Sequence, residues 1–397
     1  MASIAEDPAR EKQSPGASLI YDPKVRGVLY QVITVIVLAM LLLWIADNTL
    51  ENLKRANIAS GFGFLNGRAG FDIGQYLVAY TSDSTYGRAL LIGFINTVVV
   101  AVGGILTATF VGFVVGVGRL SPNWIIAKLS LAYVEVFRNI PPLLVIFFWY
   151  SGVLALLPQP RNSMELPLGM FLNNRGLTFP SPVFGEGTSA TLIAIAIGAL
   201  AALLLAYYSR KRQNATGRRL PLWPVLITFI GLPALTFLFI GPTVTFDYPI
   251  GGRFSLTGGS TVGPEFLSLY LALSFYTASY VAEIVRAGIR GVSKGQTEAA
   301  HALGIRPGLT TRLVVVPQAM RIIIPPLTSQ YLNLTKNSSL AIAVGYADLV
   351  AVGGTILNQT GQAIEVVSIW IIVYLTLSLT MSLLMNWFNA RMALAER

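Results

Sequence analysis

Two groups of residues in this 397-residue chain have the types and spacing that chemistry uses. The first lies in 293-SKGQTEAAHALGIRPGLTTRLVVVPQAMRIIIPP-326. Ser293 and Gln296 stand at the spacing of a capping box that starts a short helix, and Gly304 and Pro307 supply its stop. Glu298, Ala299, Ala300 and Ala302 give that helix a surface of mostly small side chains, onto which a groove in another protein can close near the backbone. This is docking chemistry rather than bond making. The second group is polar residues within apolar stretches: Asn96 and Thr97; Tyr276, Thr277 and Ser279; Glu283; and Asn333, Lys336, Asn337 and Ser338. A charged solute crossing hydrocarbon needs counter-charges and hydrogen-bonding partners. Glu283 could meet a cation and Lys336 an anion. The other role open to each residue is a helix–helix hydrogen bond or an intramembrane ion pair.

Other chemistries lack their residues. The chain has no cysteine, which excludes disulfides and Cys-ligated zinc or iron–sulfur clusters. Its single histidine, His301, argues against a His-based metal site or a Ser/His pair. No H-E-x-x-H occurs, and with no cysteine and one histidine an integral-membrane enzyme is disfavoured, so no catalytic or metal-binding residue is assigned. No G-x-x-x-x-G-K-[ST] run exists to cradle ATP phosphates. The net charge of +10 does not indicate nucleic-acid binding, because the basic residues follow topology and form no stripe among aromatics.

The elements that must position these residues are membrane spans. Hydrophobic residues make up 54% of the chain and charged residues only 12%, against roughly 25% charged in ordinary globular chains. Residues 27–46, 89–118, 139–160, 187–209, 220–246 and 366–390 carry no Asp, Glu, Lys or Arg, and a span needs about 20 apolar residues. The pattern predicts an all-α polytopic membrane protein with about eight spans, near 27–47, 89–118, 131–157, 188–208, 221–241, 265–286, 313–340 and 366–389. The mixed charge of residues 1–26 is unlike a secretory signal, so the first span is retained.

Eight spans put both termini on one side. If that side is the cytoplasm, the inner segments hold 18 Lys and Arg against 7 in the outer loops, as the bias toward basic cytoplasmic loops requires. Arg210, Lys211, Arg212, Arg218 and Arg219 form the strongest anchor. The outer loops are rich in Gly, Pro and Asn, with no room for a separate folded domain. The echo 133-YVEVFR-138 and 280-YVAEIVR-286 twice puts Glu three residues before Arg, on one helix face. Gly112 and Gly116 have the small-x-x-x-small spacing of close helix packing. Pro325 and Pro326 are placed to loosen the seventh span and free backbone groups.

Beyond these readings, Glu298-Ala-Ala, Gly304 and Val314-x-Val316-Pro317 resemble the EAA loop of bacterial ABC importer permeases, whose consensus ends in Ile-x-Leu-Pro; both aliphatics are valine here. Together with 129-LSLAYVEVFRNIPPLLVIFFWY-150, 279-SYVAEIVRAGIRGVSKGQTEAA-300 and 318-QAMRIIIPPLTSQYLNLTKNSSLA-341, it resembles the polar amino-acid permease family (histidine, glutamate, glutamine, arginine and opine importers). The size and layout are similar to its long form, the general L-amino-acid permease subunits of α-proteobacteria. The resemblance implies a type I importer permease core and a bacterial inner-membrane location. It divides the chain into a cytoplasmic segment (1–26), a first helix with its outer loop (27–86), an N-terminal section of the permease core (87–157), an additional hairpin with outer loops (158–264) and a C-terminal section of the core (265–397) containing the coupling loop (293–317).

It also implies that Glu298, Ala299, Ala300, Gly304 and Pro317 couple to a separate cytoplasmic ATPase subunit, which uses ATP and Mg while this chain binds no cofactor. The further partners implied are a second, related permease and a periplasmic amino-acid-binding protein. Asn96, Tyr276, Ser279, Glu283, Asn333, Lys336, Asn337 and Ser338 become candidates for the path of an amino-acid zwitterion. The alternative, an ion-coupled secondary transporter, would have no use for an ATPase-docking loop.

Overall fold

A computed structural model describes residues 23–55, 60–185, 187–217, 244–252 and 255–392, with some of 223–235. The predicted span at 221–241 therefore lies mostly outside the described residues, as do Arg218 and Arg219. Five described helices are long and apolar enough to cross a membrane, and seven spans result if each of two bent helix pairs counts as one.

Helix α1 (Pro23–Arg55) has 33 residues and exposes large apolar side chains such as Val28, Leu43 and Trp44. At 1.5 Å per residue it is about 50 Å long, ample for a bilayer of about 30 Å. Residues 60–85 fold over one end of the bundle, burying Ala69, Ile73 and Tyr80 against Ile92, Leu349 and Val366. Helix α2 (Tyr86–Gly118) follows, with Thr85 capping it by accepting from the Arg88 N–H.

The predicted span 131–157 is not one straight helix. It is α3 (Trp124–Arg138) and α4 (Pro142–Phe147) with a π-helical turn (Phe148–Val153), bent by 109° between Arg138 and Pro142. The cause is local: Pro141 takes φ −57° and ψ 139°, extended backbone imposed by the following Pro142.

The loops expected to lie outside are more ordered than their composition predicts. Strands β1 (Met164–Leu166), β2 (Met170–Asn173), β3 (Gly176–Phe179) and β4 (Ser181–Phe184) precede α5 (Thr188–Thr216). Strands β5 (Val244–Asp247), β6 (Ile250–Gly251), β7 (Leu256–Thr257) and β8 (Ser260–Val262) come after the hairpin region. The main sheet has order β1-β2-β3-β8, and β4 pairs with β5. Its seam is tied by Thr178 Oγ1 and Thr261 Oγ1, 2.9 Å apart. The first of these loops forms three antiparallel strands, and β8 from the second, far along the sequence, extends them.

Helix α6 (Pro264–Arg290) leads from this sheet to the other end of the bundle, where α7 (Lys294–Ala302) and α8 (Pro307–Thr310) lie. After a π-helical turn comes α9 (Val316–Asn337), which continues through Pro325 and Pro326. Proline at those positions leaves the Arg321 and Ile322 carbonyls without their intrahelical donors, yet the helix is held by burial of Ile323, Ile324 and Leu327. The chain turns at Gly345, where φ is +77°, and bends by 52° into α10 (Leu349–Thr360). The pattern of eight spans did not include α10. Helix α11 (Ala363–Met392) completes the described fold.

The core is the pairing of α2 with α6. A β-carbon at Gly112 would lie 2.5 Å from Val281 Cβ, and one at Gly116 would lie 2.7 Å from the Ala282 carbonyl oxygen. Only glycine permits that approach, which is the packing role its spacing predicts. Outside this centre, α1, α5 and α11 leave most of their apolar surface uncovered.

Candidate functional site

At the end of the bundle opposite the sheet, α7 is a separate short helix. Three of the residues expected to dock, Glu298, Ala299 and Gly304, are exposed, whereas Ala300 is buried against the loop and Pro317 is half-buried in the first turn of α9. The helix ends in a complete Schellman motif. The Gly304 N–H donates to His301 O (2.9 Å), the Ile305 N–H donates to Ala300 O (3.0 Å), and Gly304 takes φ +74°. Nothing lies within 4 Å of a β-carbon placed at Gly304. The turn is therefore set by backbone and open to whatever docks on it.

The start of the helix differs from the capping box expected of Ser293 and Gln296. Ser293 makes no side-chain cap, and Gln296 Oε1 instead accepts from Gln318 Nε2 at 3.2 Å. The glutamine serves a tertiary contact with α9, which competes with the local cap for the same side chain.

Near this end, on α6, Glu283 sits between two guanidinium groups. Its Oε2 accepts from Arg286 Nε at 3.1 Å and from Arg119 Nη1, and its Oε1 accepts from Arg286 Nη2. Arg119 follows the last residue of α2, so the triad ties α2 to α6. The echo at Glu135 and Arg138 makes no such ion pair: Arg138 lies over the Tyr280 ring, 5.5 Å from its centroid. Tyr280 OH also lies 3.0 Å from Tyr276 OH, and Ser279 Oγ donates to the Tyr276 carbonyl at 2.6 Å.

Asn333, Lys336 and Asn337 stand three and four residues apart on one face of α9; Asn333 and Lys336 are exposed and Asn337 half-buried. Ser338 is buried, its Oγ donating to Thr335 O at 2.7 Å. Asn96 lies at the sheet end, where its Nδ2 donates to Gln75 O (3.0 Å) and Ala347 O (2.9 Å). The structure therefore places the eight pathway candidates in three regions rather than one cluster.

Sequence reasoning passed over the seam around Asp348. That buried carboxylate caps α10 by accepting from the Ala351 N–H at 2.8 Å. Thr97 Oγ1 accepts from the Leu349 N–H at 3.1 Å, and Trp370 Nε1 donates to Leu349 O at 3.0 Å. The available signal was Asp348 just before an apolar run, an N-cap pattern. Among the described residues no group of three His, Cys, Asp or Glu could hold a metal ion.

Comparison with known proteins adds to this geometry. The profile of the family described as binding-protein-dependent transport system inner membrane component matches residues 194–394. The chain is 65% identical over 381 residues to the general L-amino acid transport system permease protein AapQ of Rhizobium johnstonii, covering 96% of this chain and 95% of that protein. It is 46% identical over 390 residues to the putative amino-acid ABC transporter permease protein YhdX of Escherichia coli K12, covering 98% and 99%. It is 41% identical over 415 residues to the glutamate/glutamine/aspartate/asparagine transport system permease protein BztB of Rhodobacter capsulatus, covering 96% of each.

Proposed function

The chain belongs to the family of binding-protein-dependent transport system inner membrane components, and from that membership we propose how it works. It is the transmembrane permease subunit of an ATP-driven ABC importer for amino acids, a multi-pass inner-membrane protein with a type I importer core. The observation that carries this is similarity along nearly the whole chain to amino-acid transport permeases. A secondary transporter driven by an ion gradient is disfavoured by the exposed α7 turn, which such a carrier would not need.

In our reading both termini and the α7 loop face the cytoplasm, and the sheet faces the periplasm. Arg210, Lys211 and Arg212, at the end of α5 remote from the sheet, support that orientation. A reporter active only in the periplasm, fused at Asn214, should then be silent. ATP and Mg are held by a separate ATPase subunit that docks on Glu298, Ala299 and Gly304, with Ala300 and Pro317 shaping the loop behind them. A periplasmic binding protein delivers substrate at the sheet end. The exposed Asn333–Lys336–Asn337 face of α9 meets a second, related permease, and the pathway runs between the two. Asn96 lies toward its outer end, with Tyr276, Ser279 and Ser338 on the core helices, while Glu283 holds α2 to α6 near its inner end.

The test is uptake of radiolabelled amino acids into vesicles carrying the permeases, ATPase and binding protein. ATP inside the appropriate compartment, with no ion gradient, should drive accumulation. Accumulation that requires an ion gradient and ignores ATP would replace this reading with the secondary transporter.

A further inference from the structure

At the sheet end, a cavity of about 630 Å³ lies between the β2–β3 turn, the start of α6 and the 345–347 turn. Its volume falls in the range of roughly 300–1,000 Å³ found for small-molecule sites. Arg175 and Glu265 line it from different elements, and neither forms an ion pair among the described residues. A β-carbon at Gly263 would sit 2.6 Å from both Gln75 Nε2 and Glu265 Oε2, so the amide and the carboxylate converge over that glycine. Glu265 alone would suit the first turn of a helix. What calls for a ligand is an arginine and a carboxylate in the wall of one cavity, neither neutralised by an ion pair among the described residues.

A second cavity of about 560 Å³ shares Gln75, Thr261 and Tyr346 with the first. Its wall is mainly apolar, with Phe179 and Phe266 among its residues. One chamber thus offers an anion and a cation beside an aromatic annex.

We propose that this outer chamber binds a free L-α-amino acid before it enters the membrane. Arg175 receives the α-carboxylate, Glu265 receives the α-ammonium, and the side chain enters the annex. The guanidinium fork matches a carboxylate with two parallel hydrogen bonds, and an ammonium donates charge-assisted hydrogen bonds to the Glu265 carboxylate. Selection acts on the groups all amino acids share, while the annex tolerates different side chains. The site is built partly from the sheet, outside the paired helices of the core. This inference rests on the amino-acid importer reading above.

The test uses the assembled permease–ATPase complex in nanodiscs, without the binding protein. Its probe is the radiolabelled L-amino acid that the complete transporter accumulates fastest. The complex should bind it saturably, and the unlabelled amino acid should compete, whereas its N-acetyl derivative and its decarboxylated amine should not. Arg175→Gln and Glu265→Gln should each weaken binding about tenfold or more, since each removes a charged hydrogen-bonding partner. Arg175→Lys should recover some of the loss. Arg161→Gln, which alters a neighbouring cavity shared with Arg175, should stay within about twofold of the original protein, which separates the site from general basicity. Normal uptake together with unchanged binding in Arg175→Gln and Glu265→Gln overturns the chamber and leaves the importer standing. So does normal uptake with no binding to the original complex. Failure of the complete transporter to accumulate any amino acid overturns the importer reading, and this inference with it.

Discussion

Gln318 Nε2 donates a hydrogen bond to Gln296 Oε1 across 3.2 Å, joining the short helix α7 to the first turns of α9. A push on α7 therefore has a direct polar route into a membrane-spanning helix. One exposed hydrogen bond contributes about 0.5–1.5 kcal/mol. Gln318→Ala should leave membrane abundance and ATPase co-purification unchanged and lower ATP-driven uptake several-fold. Unaltered uptake would show that force passes through the backbone alone.

Gly304→Asp should abolish most uptake while the protein stays inserted. The left-handed backbone at φ +74° disfavours a β-carbon by about 1 kcal/mol or more, and the new acid would project from the open surface that docks. Ala300→Asp should act differently. Ala300 is only 4% exposed, so an acid there unsettles the loop itself, and protease sensitivity near residue 300 should rise. Equal ATPase co-purification by both variants and the original protein would refute the contact.

Glu283→Ala should destabilise the complex more than Arg119→Ala or Arg286→Ala. Removing the shared carboxylate strands two largely buried guanidinium groups, at a cost of about 3 kcal/mol, whereas removing either arginine leaves one partner. The midpoint of thermal unfolding of the purified complex, compared across the three variants, checks the order.

The chain has no cysteine, so a cysteine pair can be introduced without competing thiols. Val183 and Thr245 are cross-strand partners in β4 and β5. Val183→Cys with Thr245→Cys should form a disulfide without added oxidant in intact cells, because the periplasm is oxidising. A gel shift reversed by reductant reads it. Reduced thiols in the double variant would contradict the pairing or the orientation.

Much of this structure is legible in the sequence where a single segment decides it. Charge-free apolar runs mark α1, α2, α5 and α11, and Gly304 marks the end of α7, because burial in lipid and a left-handed turn are local demands. The bend before Pro142 was also written locally, in the Asn-Ile-Pro-Pro run, but apolar continuity hid it. What could not be read depends on distant partners. Strands of two to four residues carry no periodicity, and β3 finds β8 across more than 80 residues of chain. Gln296 has a local cap available and is taken by Gln318 instead. Arg175 and Glu265 look like ordinary surface charges until the sheet brings them to one cavity.

The pairing of Phe184 with Val244 makes residues 185–243 a closed detour: the chain departs from and returns to one point, the separate two-stranded β4–β5 ribbon. Such a detour has no net displacement, so everything from α6 onward keeps its position and direction whether the detour is present or not. Joining β4 to β5 by a short turn would shorten the protein without inverting the helices that follow. In evolutionary terms the excursion is an appendix that could be gained, exchanged or lost in one event, because the strands at its base carry the continuity of the fold.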